Sequence, residues 1–120
     1  ALSSKINSGD DNYSNGYYSG MRAIRLDPYV VETLMADLVG HDHSPSSFLV
    51  YLTLWGRTGM RRGAKARLSH RELAEETGLS KSAVQGAVRN LARRRLIAVN
   101  RANATAVPEY SVLRPWIRRK

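Results

Sequence analysis

One stretch of this 120-residue chain constrains its fold more than any other: residues 70–89, HRELAEETGLSKSAVQGAVR. Ser69 followed three residues later by Glu72 is a capping-box pattern, so a helix is expected to start at His70. Gly78 tolerates positive φ and gives that helix its stop. Ser80 stands where it can cap a second helix, along which Val84, Val88 and Leu91 recur at i, i+4 and i+7. A second helix that crosses closely above the first needs a small residue beneath it, and Ala74 lies four residues before Gly78. Leu79, straight after the turn, is the apolar plug for the corner.

The flanks extend this unit. Residues 96–99 (LIAV) read as a strand, residues 101–106 (RANATA) as a polar loop, and residues 107–113 (VPEYSVL) as a returning strand with Tyr110 and Val112 on one face. Pro108 lacks an N–H and must sit at the start of that strand or on its open edge. Arg67-Leu68 predicts a further short strand. Upstream, residues 22–26 alternate and predict a strand, and Asp27-Pro28 opens a helix, Asp as N-cap and Pro at its first position. Val30, Val31, Leu34, Met35 and Leu38 follow helical spacing up to a stop at Gly40. Ser44-Pro45 repeats the start signal. Phe48, Leu49, Tyr51, Leu52, Leu54 and Trp55 then predict a helix buried almost all round, ending near residues 56–59. Residues 57–67 (RTGMRRGAKAR) predict a mobile basic loop. Residues 1–20, rich in Ser, Asn, Gly and Tyr, are expected to be a disordered arm, and residues 21–120 one domain. The fold class is α+β, mainly α.

Charge narrows the partner. Residues 1–60 hold four basic and six acidic residues, a balance of −2, whereas residues 61–120 hold fifteen basic and four acidic, a balance of +11. A surface built for a polyanion is expected, nucleic acid first and an anionic membrane second. The absence of cysteine excludes disulfides and thiolate chemistry. No apolar run approaches the roughly 18–20 residues of a membrane span.

The run LSHRELAEETGLSKSAVQGAVRNLARRRLI resembles the helix-turn-helix and following strand of winged-helix bacterial transcription regulators. MarR-like and GntR-like regulators are similar over residues 68 to about 113, as are some phage and plasmid replication initiators. The resemblance implies a winged helix with two additional N-terminal helices, the helix-turn-helix at residues 70–89 and the wing at 96–113. It also implies sequence-specific binding of double-stranded DNA as a cytoplasmic transcription regulator. Half-site logic adds a homodimer, with the helix at residues 27–39 or the Trp116 tail as its surface. The alternatives are a replication initiator, or a winged helix used as a protein-interaction module.

With Val84, Val88 and Leu91 facing inward, the opposite face of the second helix carries Lys81, Ser82, Gln85 and Arg89. Gln85 can pair bidentately with adenine, and Lys81 or Arg89 can reach guanine edges or phosphates. Ser80 and Ser82 suit phosphate contacts. Gly86 lowers helix propensity by roughly 1 kcal/mol against Ala; it serves either close helix packing or a close approach to DNA. The resemblance places Arg71 on a phosphate, and Arg101 and Asn103 at the wing tip. Arg93, Arg94 and Arg95 complement the helix dipole, and one or two of them are expected to meet phosphates as well. Arg61, Arg62, Lys65 and the tail at 114–120 are candidates for flanking phosphates, and Trp116 for packing on the domain or on a second subunit.

Two other readings are weaker. His41, Asp42 and His43 offer three potential ligands without a matching fourth, so a polar helix connection is expected and no metal. Glu72, Glu75 and Glu76 read as surface charge. No nucleophile–base pair or phosphate-cradling glycine motif stands out, so neither enzymatic activity nor a cofactor is expected.

Overall fold

The computed structural model describes residues 23–59, 61 and 63–117. The arm expected at residues 1–20, together with Arg22, Arg62 and the last three residues of the tail, lies outside them.

Helix α1 covers residues 28–41 and contains two π-helical stretches, Val30–Leu34 and Asp37–His41. Its start is as expected: Asp27 Oδ1 accepts from the Tyr29 N–H at 3.0 Å, and the Asp27 carbonyl accepts from Val30. Its apolar pairs recur every four residues, Val30-Val31, Leu34-Met35 and Leu38-Val39. A pure α-helix with 3.6 residues per turn would wind such a row around its cylinder. Wider i→i+5 turns counter that drift and hold Val30, Leu34 and Leu38 in line against the core, all three buried. The helix runs through Gly40 to His41, beyond the expected stop, and His43 turns the chain with φ 52°.

Helix α2 is Pro45–Thr58 and ends on Gly59 in the left-handed region, its N–H bonded to the Trp55 carbonyl at 3.1 Å. It runs through the middle of the domain, with Val50, Tyr51, Leu54 and Trp55 buried. Its burial is not all round, because Leu49 is exposed. The strand expected at residues 22–26 does not form over its described part, since residues 23–27 form neither helix nor strand. They lie as a strap over α2, where the Trp55 indole donates to the Arg25 carbonyl at 2.7 Å and Ile24 packs on Gly56. A bond from a side chain replaces the ladder that a strand would have needed.

Strand β1 is Ala66–Arg67, helix α3 His70–Thr77, helix α4 Lys81–Arg93, strand β2 Ile97–Asn100 and strand β3 Glu109–Val112. The antiparallel sheet has the order β1-β3-β2, with Ala66 opposite Tyr110 and Val99 opposite Tyr110 from the other side. Tyr110 and Val112 turn towards the core, as expected from their alternation. Pro108 sits just before β3, where its carbonyl accepts from Leu68. The tail folds back on the N-terminal side. Trp116 stacks on Tyr29 with ring centroids 4.4 Å apart and donates to Asp27 Oδ2 at 3.0 Å. That bond and the Tyr29 N–H hold the Asp27 carboxyl below its ordinary range. The Tyr51 hydroxyl donates to the Leu113 carbonyl at 2.8 Å, and burial pushes its pKa upward.

Candidate nucleic-acid interface

The two helices of the motif are set by local chemistry that the sequence carries. Ser69 Oγ accepts from the Glu72 N–H at 3.0 Å, and Glu72 Oε1 accepts from the Ser69 N–H at 2.8 Å, which completes the capping box. Gly78 ends α3 at φ 79°, with its N–H on the Ala74 carbonyl at 2.9 Å. A side chain at that φ would be strained, so the turn depends on glycine there. Leu79 plugs the corner against the core, its N–H held by Thr77 Oγ1. Ser80 Oγ caps α4 by accepting from the Ala83 N–H at 3.1 Å.

Inside α4, Val84, Ala87, Val88 and Leu91 are buried. This fixes the rotation of the helix and turns Lys81, Ser82, Gln85 and Arg89 outward, all exposed. Arg71 is exposed on the first turn of α3, 3.5 Å from Glu75 in a solvent-facing i,i+4 pair of little energetic weight. Arg101 and Asn103 are exposed in the loop between β2 and β3. Asn103 also shapes that loop, since its Oδ1 accepts from both the N–H and the hydroxyl of Thr105 at 3.0 Å.

Among the three consecutive arginines, Arg94 has another task. It donates to Asp42 at 2.9 Å and to Asp37 at 2.8 Å, which ties the end of α4 to the end of α1. Asp42, whose side chain is only 6% exposed, also accepts from Asn90 Nδ2 at 3.0 Å and pairs with His41. Burial acts to raise its pKa, but these hydrogen bonds and the Arg94 charge outweigh it and hold the carboxyl low. The His41-Asp42-His43 connection is thus the anchor of an interhelical clamp. Arg93 donates to Asn90 Oδ1, and Arg57 Nε donates to Glu76 at 3.1 Å, so Glu76 serves as an interhelical partner. Arg61, Lys65 and Arg114 are exposed.

The sequence reading did not single out His70. Its Nε2 is buried and has no hydrogen-bond partner among the described residues. Its pKa is lowered, first by burial and then by the charges of Arg101 on the wing and Lys81 on α4. His70 therefore marks the junction of α3, α4 and the wing. A histidine at the first position of a capped helix was the available signal, but its proximity to Arg101 depends on the tertiary fold.

This arrangement of a glycine-turned helix pair followed by an antiparallel hairpin is a winged helix-turn-helix. Residues 63–98 match the model of a family described as winged helix-turn-helix DNA-binding, which supports DNA binding by this chain. A search of curated proteins and of solved structures gives no match. Among the described residues, no helix is long and apolar enough to cross a membrane.

Proposed function

We propose that the protein is a sequence-specific binder of double-stranded DNA that regulates transcription in the cytoplasm and acts by recognition, without chemistry of its own. The observation that carries this reading is the outer face of α4. Lys81, Ser82, Gln85 and Arg89 project from a helix whose inner face is locked. The early residues of such a helix enter the major groove, where Gln85 reads adenine and Lys81 or Arg89 reads guanine or binds phosphate. Arg71, Ser80, Arg101 and Asn103 hold the flanking backbone and set the register.

The working unit is a homodimer. Helix α1 leaves Val31, Met35 and Val39 exposed at 47%, 40% and 39%, a second apolar row beside its buried one. The row is symmetric about Met35. An antiparallel two-fold pairing sets Met35 against its own copy and Val31 against Val39 of the partner subunit. Trp116 already packs within its own chain, which favours α1 over the tail as the dimer surface.

Affinity for genomic duplex fragments as a function of salt tests the reading. Each phosphate neutralised contributes about −0.9 to the slope of log K against log salt. The four cations Arg71, Lys81, Arg89 and Arg101 of each protomer give a steep fall, and a flat response would refute DNA binding. Gln85→Ala is expected to relax sequence preference, whereas Arg71→Ala weakens all sequences about equally. Unchanged binding in both variants would overturn the docking arrangement.

A further inference from the structure

Gly86 sits in the middle of α4, where a glycine weakens a helix. The fold gives Gly78 and Gly56 an evident reason. Gly78 adopts φ 79°, and a Cβ on Gly56 would lie 3.2 Å from Ile24 Cδ1. Neither reason applies to Gly86: its φ is that of an ordinary helix, and a Cβ built there meets nothing within 4 Å. Among the described residues, close helix packing, one of the two uses open to it from sequence, therefore does not account for it.

Its position on the helix is informative. The buried row of Val84, Ala87, Val88 and Leu91 defines the inner face. At about 100° per residue, the direction opposite that row falls between Ser82, Gly86 and Arg89. The midline of the outer face therefore carries the short Ser82 and the half-buried Gly86 one turn apart over its N-terminal half, the long Arg89 and Arg93 further along, and Lys81 and Gln85 to one side. A helix shaped this way can lower its backbone into a groove while the flanking side chains reach the base edges beside it.

We propose that Gly86 is the point of closest approach of α4 to DNA, a residue that sets the depth of docking and through it the sequence preference. This inference rests on the DNA-binding reading above. In the bound state the Gly86 backbone lies against the base-pair edges or the sugar-phosphate wall of the major groove, at a separation that a side chain would not allow.

The test measures folding and binding of the same variants in opposite directions. The probe is the tightest duplex that the wild-type protein selects from a randomised library. Gly86→Ala is expected to raise Tm by roughly 4–8 °C, since alanine favours the helix and meets open space. It is also expected to weaken binding of the selected duplex about tenfold, and Gly86→Leu a hundredfold or more. A lower Tm in Gly86→Ala would show that the glycine serves folding and would overturn the proposal. Wild-type affinity in both variants would also overturn it. A Lys81→Ala/Arg89→Ala protein separates this failure from that of the wider reading. If that protein loses the duplex while the Gly86 variants keep it, only the depth-setting role falls. If the wild type selects no duplex at all, both ideas fall together.

Discussion

Helices α1 and α4 are built alike on their inner sides and differently on their outer sides. Each lays a row of aliphatic residues against the core, Val30, Leu34 and Leu38 in one and Val84, Val88 and Leu91 in the other. Their C-terminal ends meet through Arg94, Asp37 and Asp42. Outward, α1 shows Val31, Met35 and Val39, whereas α4 shows Lys81, Ser82, Gln85 and Arg89. The inner faces therefore establish that both are domain helices, and the outer faces differ in chemical character. An apolar row in water favours another apolar surface, and a cationic and amide row favours a polyanion. The two halves of the chain differ likewise in charge, −2 against +11.

The largest effect is expected from reversing the outer character of α1. Met35→Glu places two carboxylates against each other on the proposed two-fold axis, away from water, and the dimer dissociation constant should rise more than a hundredfold. Sedimentation velocity over a concentration series measures it. The side chain is exposed in the monomer, so Tm of the dissociated protein should change little. A wild-type protein that remains monomeric at tens of micromolar would remove α1 as an interface and leave its apolar row without a role.

Cutting the link between the helices should have a smaller but clear effect. Arg94→Ala leaves Asp42 buried without its cationic partner. Breaking a wholly buried pair costs about 3–5 kcal/mol. Here the Arg94 side chain is 25% exposed, so a loss of about 2 kcal/mol is expected, seen as a fall in Tm of roughly 10 °C. Arg94→Ala combined with Asp42→Asn should recover part of that loss, because the neutral amide no longer needs a counter-charge. If the double variant is no more stable than the single one, the clamp acts through packing and not through charge.

Much of the helix-turn-helix was legible because its determinants are local. Ser69, Glu72, Gly78, Leu79 and Ser80 each act within four residues, and the structure forms the caps and turn they predict. The apolar rhythm of α4 fixed which residues face outward. Long-range pairings were not legible in this way. Arg94 looked like a dipole cap or a phosphate ligand because its partners, Asp37 and Asp42, lie more than fifty residues away. The alternation at residues 22–26 suggested a strand, but tertiary contact with Trp55 decided the outcome. Helix α1 was legible as a helix, but its wider turns were not, since they depend on keeping Val30, Leu34 and Leu38 in line against the rest of the fold.

The smallest expected effect concerns His70, at the start of α3. His70 has its pKa held below the ordinary 6.5 by burial, with Arg101 and Lys81 adding to it. The unfolded chain therefore takes up a proton before the folded one does. Stability contributed by neutral His70 is complete above about pH 6.5 and is lost as the pH falls below it, by at most about 1.4 kcal/mol per pH unit. Asp27 and Asp42, held low, act only in a more acidic window near and below 3.8. DNA should reverse the sign. Phosphates facing Lys81 and Arg101 offset the charges that oppose protonation of His70, so the complex binds a proton and its affinity rises as pH falls through the same window. His70→Gln should flatten both slopes. Thermal melts and DNA titrations at pH 7.5 and 5.5 compare the two proteins. If the affinity of wild type and variant changes equally with pH, the α3–α4–wing junction does not face the phosphates. The DNA-facing surface would then be confined to the outer face of α4, a sharper contrast with α1 than the one described above.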